Sequence, residues 1–107
     1  MKTYKLSSMK GGWYIGDFEP NVFKTNKFEV SYKIHKKDEK WDTHFHKKSK
    51  EINLIIKGKM KIQNKILEKG DIFVLDKLEI ADPIFYKATH VICVKVPSSK
   101  NDKYIIS

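Results

Sequence analysis

Two imidazoles one residue apart, His44 and His46, followed five residues later by the carboxylate of Glu51, are the side chains of this 107-residue sequence best suited to chemistry. In an extended run alternate side chains share a face, so the two histidines project together and Phe45 projects the other way. Two neutral imidazoles hold one ion when an oxygen donor joins them. Glu51 can be that donor if the polar loop Lys47-Lys48-Ser49-Lys50 turns the chain into an adjacent strand. The resulting set suits iron, manganese, nickel or zinc and leaves coordination positions open for water or substrate. Asp42 has the parity of the two histidines and is a candidate to orient one ring from behind.

Such a set needs strands to position it, and the chain reads as a succession of short β-like runs with little helical period. Phe28 to His35 alternates cleanly, with Phe28, Val30, Tyr32 and Ile34 on one face and Glu29, Ser31, Lys33 and His35 on the other. The apolar stripe is expected to face a core, which makes Tyr32 a core or pocket residue. Further runs are Trp41 to His46, Glu51 to Lys57, Lys59 to Gln63, Lys65 to Leu67, Asp71 to Leu75, Ile84 to Tyr86 and His90 to Val96. Turn signals separate them, among them Gln63-Asn64, Lys69-Gly70-Asp71 and Ala81-Asp82-Pro83. Trp13, Tyr14 and Ile15 can supply an edge strand or packing cover. Eight or more short strands in so small a chain predict an all-β sandwich or closed barrel, because both remove most sheet edges.

The spacing continues beyond the three ligating types: His44-x-His46, four residues, Glu51, six residues, Gly58. This resembles the first motif of the cupin family in full. The stretch Gly70-Asp71-Ile72-Phe73-Val74-Leu75 resembles the start of the second motif, with Asp76 where cupins usually place proline and Leu78 where they usually place glycine. Val94-Lys95-Val96-Pro97-Ser98, Asp102-Lys103-Tyr104, Gly12-Trp13 and Glu51-Ile52-Asn53 resemble a branch of small single-domain cupins. The resemblance implies a cupin-type double-stranded β-helix, or jelly-roll barrel, in one domain over residues 1–107. Residues 1–27 are then an arm with edge strands, 28–97 the barrel and 98–107 a tail. The histidine that usually supplies a fourth ligand falls on Ala81, which cannot ligate. Asp82 can replace it only if a bulge before Pro83 re-aims it, and His90 is a more distant candidate. His44, His46 and Glu51 are therefore expected to bind a divalent transition metal weakly as a three-ligand site.

Asn53 follows Glu51 at period two and either contacts a ligand or serves as a satisfied buried amide. Tyr32, Asn53, Asp82 and His90 are the candidates for the substrate pocket, each with a structural role as its alternative. Cys93 reads as a small buried hydrophobe, and Trp13 and Trp41 as packing residues. In Glu51 to Ile56 the parity opposite Glu51 is Ile52, Leu54 and Ile56, so both faces of that strand need cover. The N-terminal arm or a second copy of the chain can provide it, and a homodimer is expected.

The formal net charge is +9, and all 22 basic residues are lysines. Without arginine the chain lacks the bidentate groups that read guanine edges, so specific nucleic-acid binding is disfavoured. No apolar run approaches ~18 residues, and the first ten residues lack a signal-like apolar core, so neither a membrane span nor a secretory signal is expected. With one cysteine and no internal disulfide, the expected location is cytoplasmic. The function expected from the resemblance is a metal-dependent reaction of dioxygenase, isomerase or lyase type on a small polar or anionic molecule. The alternative is a barrel that binds a sugar or small acid without turnover, over a degenerate or empty metal site. A lysine-rich interaction protein with a vestigial pocket is the third reading.

Overall fold

A computed structural model describes residues 1–106; Ser107, the end of the expected tail, lies outside the described residues. The order is a 3-10 turn (Leu6–Ser8), then β1 (Trp13–Gly16), β2 (Phe23–Lys24), β3 (Glu29–His35), β4 (His44–Phe45), β5 (Lys50–Lys57) and β6 (Lys59–Ile62). There follow β7 (Lys65–Glu68), β8 (Ile72–Leu75), β9 (Ile84–Phe85), β10 (Thr89–Val96) and β11 (Tyr104–Ile105). No helix among the described residues is long and apolar enough to cross a membrane. Six strands form one sheet in the order β2-β1-β3-β10-β5-β8, opposed by β7-β6-β9 and the pair β11-β4.

Most of the expected runs form strands close to their expected limits. Trp41 to His46 is the exception, contributing only His44 and Phe45. Gln63 and Asn64 both take positive φ, 47° and 64°, in the two-residue turn that sets Ile62 opposite Lys65. At Gly58, between β5 and β6, φ is +111° and an added Cβ would stand 2.6 Å from Thr89 Oγ1, so the bend there requires glycine. The arm extends the large sheet through β1 beside β3. The C-terminal segment is also more than a tail, because β11 pairs with β4 and so backs the histidine strand.

An apolar core of Ile55, Met60, Ile62, Leu75, Ala81, Phe85 and Val91 ties the sheets together. The inward face of β3 reverses the expectation. Glu29 and Ser31 are buried and Lys33 and His35 half-buried, whereas Ile34 on the apolar stripe is 57% exposed. The reason lies across the sheet. In register, Glu29 stands beside Lys95 and then Glu51, and Ser31 beside Cys93 and then Asn53. This part of the inner wall is thus polar, core residues such as Met60, Ile62, Leu75 and Phe85 line the rest of the cavity, and the apolar stripe of β3 lies outside.

Candidate functional site

The cavity has a volume of about 280 Å³, and its wall includes His44, His46, Glu51, Asn53, Ala81 and Cys93. One ligating atom from each of His44, His46 and Glu51 lies within 4.8 Å of the others. Donors about 2.1 Å from a common ion stand roughly 3.0–3.4 Å apart, so the set closes on an ion with side-chain shifts of about 1 Å. The donor types and the spacing therefore fit a divalent transition metal.

β4 and β5 supply these groups through the loop of residues 46–49. Asp102 holds that loop, accepting backbone N–H bonds from Lys47, Lys48 and Ser49 at 2.9–3.1 Å. Burial would raise the Asp102 pKa, but these donors outweigh it and hold it below the usual value. His44 Nδ1 donates to the Asp42 carbonyl at 2.8 Å, so the backbone of Asp42 does the orienting and Nε2 keeps its lone pair. Burial lowers the His44 pKa, which favours the neutral, ligating form. His46 Nδ1 lies 3.2 Å from Glu51 Oε2, and the Cys93 thiol donates to Glu51 Oε1 at 3.3 Å. Burial pushes Glu51 upward, but His46, Lys95 and Cys93 together hold it below the ordinary glutamate value. Cys93 is pushed far up by burial and by the Glu51 charge, so it stays a thiol.

Ala81 exchanges backbone bonds with His44, with N–O distances of 3.1 and 2.7 Å. Its methyl is therefore in the wall directly across from the histidine. Asp82 is not re-aimed; it is exposed and accepts the Gln63 backbone N–H at 2.8 Å. Tyr32 and His90 bond each other, hydroxyl to Nδ1, at 2.7 Å and are not part of the cavity wall. Their strand positions alternate with those of Ser31, Lys33 and Val91, which are in the wall, so parity puts them outside. Of the four pocket candidates, only Asn53 is in the wall.

Several wall residues were not site candidates from sequence, among them Lys33, His35, Trp13 and Trp41. Lys33 and His35 belong to the polar parity of β3, and Trp13 and Trp41 were read as packing. The signal for the first two was the alternation itself, once a barrel with a polar interior is allowed. His35 stacks on Phe85 with ring centres 4.3 Å apart, and its Nδ1 donates to Glu39 Oε2 at 2.6 Å. Trp41 Nε1–H donates to the same oxygen at 2.6 Å. Burial raises Glu39, but the two donors outweigh it, so the carboxylate sits below its usual range.

The sequence matches no family model, and it matches no curated protein. Solved structures are similar in fold. A conserved protein with a double-stranded β-helix domain from Klebsiella pneumoniae superposes with a TM-score of 0.71 at 13% identity, over 97% of this chain and 90% of that one. A cupin-2 domain protein from Shewanella frigidimarina gives 0.56 at 21% identity, over 68% and 72%. The pirin YhhW of Escherichia coli, in complex with nickel(II), gives 0.64 at 10% identity over 81% of this chain and 39% of the pirin. The chain has the cupin-type double-stranded β-helix fold.

Proposed function

We propose that this cupin-fold chain binds a divalent transition metal through His44, His46 and Glu51 and acts on a small polar molecule held in the cavity. The observation that carries the reading is the convergence of three donor types, within 4.8 Å, on a cavity large enough for a small ligand. The nickel complex of the pirin, a neighbour in fold, supports the choice of group. Iron, manganese, nickel and zinc all suit the donors.

When bound, such an ion would supply Lewis-acid polarisation of a substrate oxygen, which serves isomerase and lyase types, whereas a dioxygenase type would need a redox-active ion such as iron. The chain's own residues do the rest. His44 and His46 present nitrogen lone pairs, and Glu51 presents a carboxylate oxygen. Asn53 offers an amide to the ligand from the same wall. His35 is the cavity imidazole outside the ligand set; with Nδ1 held by Glu39, its Nε2 is the atom available to carry a proton.

A second reading, ligand binding without turnover, draws on Ala81. A methyl stands where cupins usually have a fourth ligand, and a three-ligand site holds metal more weakly. We further infer a cytoplasmic homodimer of single-domain subunits, joined through the outer face of the large sheet. On that face Ile34, Ile52, Ile72 and Val74 are 57, 39, 64 and 46% exposed.

Thermal unfolding in the presence of nickel, manganese or zinc tests the metal assignment. Saturation at ~100 times Kd stabilises the native state by about 2.7 kcal/mol, which raises Tm by roughly 10 °C in a chain of this size. Glu51→Gln should lose that rise. An equal rise in wild type and variant would place the binding elsewhere.

A further inference from the structure

The charges around the cavity do not balance. Its wall contains three ammonium groups, from Lys33, Lys95 and Lys103, and one carboxylate, Glu51. Lys95 is neutralised by Glu29 at 3.7 Å. Glu51 is engaged by His46 and Cys93. Neither Lys33 nor Lys103 forms an ion pair among the described residues.

Lys33 is the more telling of the two. Its ammonium lies 4.9 Å from the Trp13 ring centre and 5.5 Å from that of Trp41, so aromatic faces flank it. The Lys103 ammonium lies 4.6 Å from the same Trp41 ring, and Lys103 is exposed. Cation–π contact only partly replaces the hydration lost on burial. Burial accordingly lowers the Lys33 pKa, with Lys95 and Lys103 pushing it the same way and Glu51 only partly opposing them. A lysine held on an inward strand position without an ion pair, beside other cations and with the one wall carboxylate already engaged, leaves an anion to be supplied from outside the chain. A ligand carboxylate meets that need: one half-buried cation without an ion pair and one cation at the rim match a compact anion, and the two indoles flank the pair.

We propose that Lys33 is the anchor of a carboxylate subsite, with Lys103 attracting the ligand at the rim, so that the cavity takes a small organic acid. The proposal rests on the cavity-ligand reading above and names its substrate class. The ligand's carboxylate lies against Lys33 between Trp13 and Trp41, and its polar remainder extends toward Asn53 and the His44, His46 and Glu51 group.

The chain's two tryptophans both flank Lys33, so their fluorescence reports the subsite directly. Succinate and its uncharged analogue succinamide would be titrated at constant ionic strength into wild type, Lys33→Gln and Lys33→Arg, each as purified and after stripping with a chelator. Wild type should respond saturably to succinate and not to succinamide. Loss of a charge-assisted contact should weaken succinate roughly tenfold or more in Lys33→Gln, whereas Lys33→Arg, which keeps the charge, should stay within about threefold of wild type. Retained circular dichroism and wild-type nickel uptake by Lys33→Gln separate this result from misfolding or loss of the metal group. Equal succinate affinity in wild type and Lys33→Gln, or no saturable response in either form up to tens of millimolar, overturns the subsite. Lys33-dependent succinate binding in a protein that takes up none of nickel, manganese, iron and zinc keeps the subsite and rejects the metal assignment.

Discussion

The Ser31 hydroxyl is fully buried in the cavity wall and has no hydrogen-bond partner among the described residues. Leaving such a group unpaired costs about 1–3 kcal/mol, so Ser31→Ala should be neutral or stabilising by up to roughly 1 kcal/mol in chemical denaturation. A loss of more than that would mean the hydroxyl is satisfied in solution. Its neighbours on β3 show how far side-chain roles were legible. His44, His46 and Glu51 could be grouped from sequence because alternation and one short loop bring them together. Lys33 and His35 could not, because their inward orientation depends on a polar interior built by three strands distant in sequence. Tyr32 was misplaced for the same reason: its apolar stripe faces outward, where it meets His90.

Among elements, the loop between β4 and β5 decides whether the ligating groups stay together. Asp102 fastens it with four hydrogen-bond contacts from three backbone N–H groups, and the Ser49 hydroxyl donates to the Pro97 carbonyl at 2.9 Å. Asp102→Asn should cost about 2 kcal/mol at neutral pH, the scale of hydrogen bonds to a buried charge. The folded-state pKa of Asp102 is depressed, so its contribution is present above the unfolded value of about 3.9 and is lost as pH falls through the folded value. Denaturation midpoints of wild type and variant should therefore converge below about pH 4, and a gap independent of pH would contradict this account. The hairpin at Gln63-Asn64 was readable because turn chemistry is local. The pairing of β11 with β4 was not, since a partner some 60 residues away leaves no local pattern in a two-residue strand.

For the whole molecule, the all-β fold was legible from period two and turn spacing, but which face of the large sheet is wet was not. The outer face carries the apolar residues that local reading assigns to a core, and in the proposed homodimer they are covered by a second copy. Light scattering should give twice the 12.6 kDa chain mass, and Ile52→Lys with Val74→Lys should return it to the single-chain value. A single-chain mass in wild type would reject the dimer. The central claim remains the metal group, and the number of ions per chain tests it most directly. Elemental analysis after equilibration with nickel, manganese, iron or zinc should find one ion per chain in wild type and none in His46→Ala. Equal metal content in the two proteins, or none in wild type with any of the four metals, would contradict it.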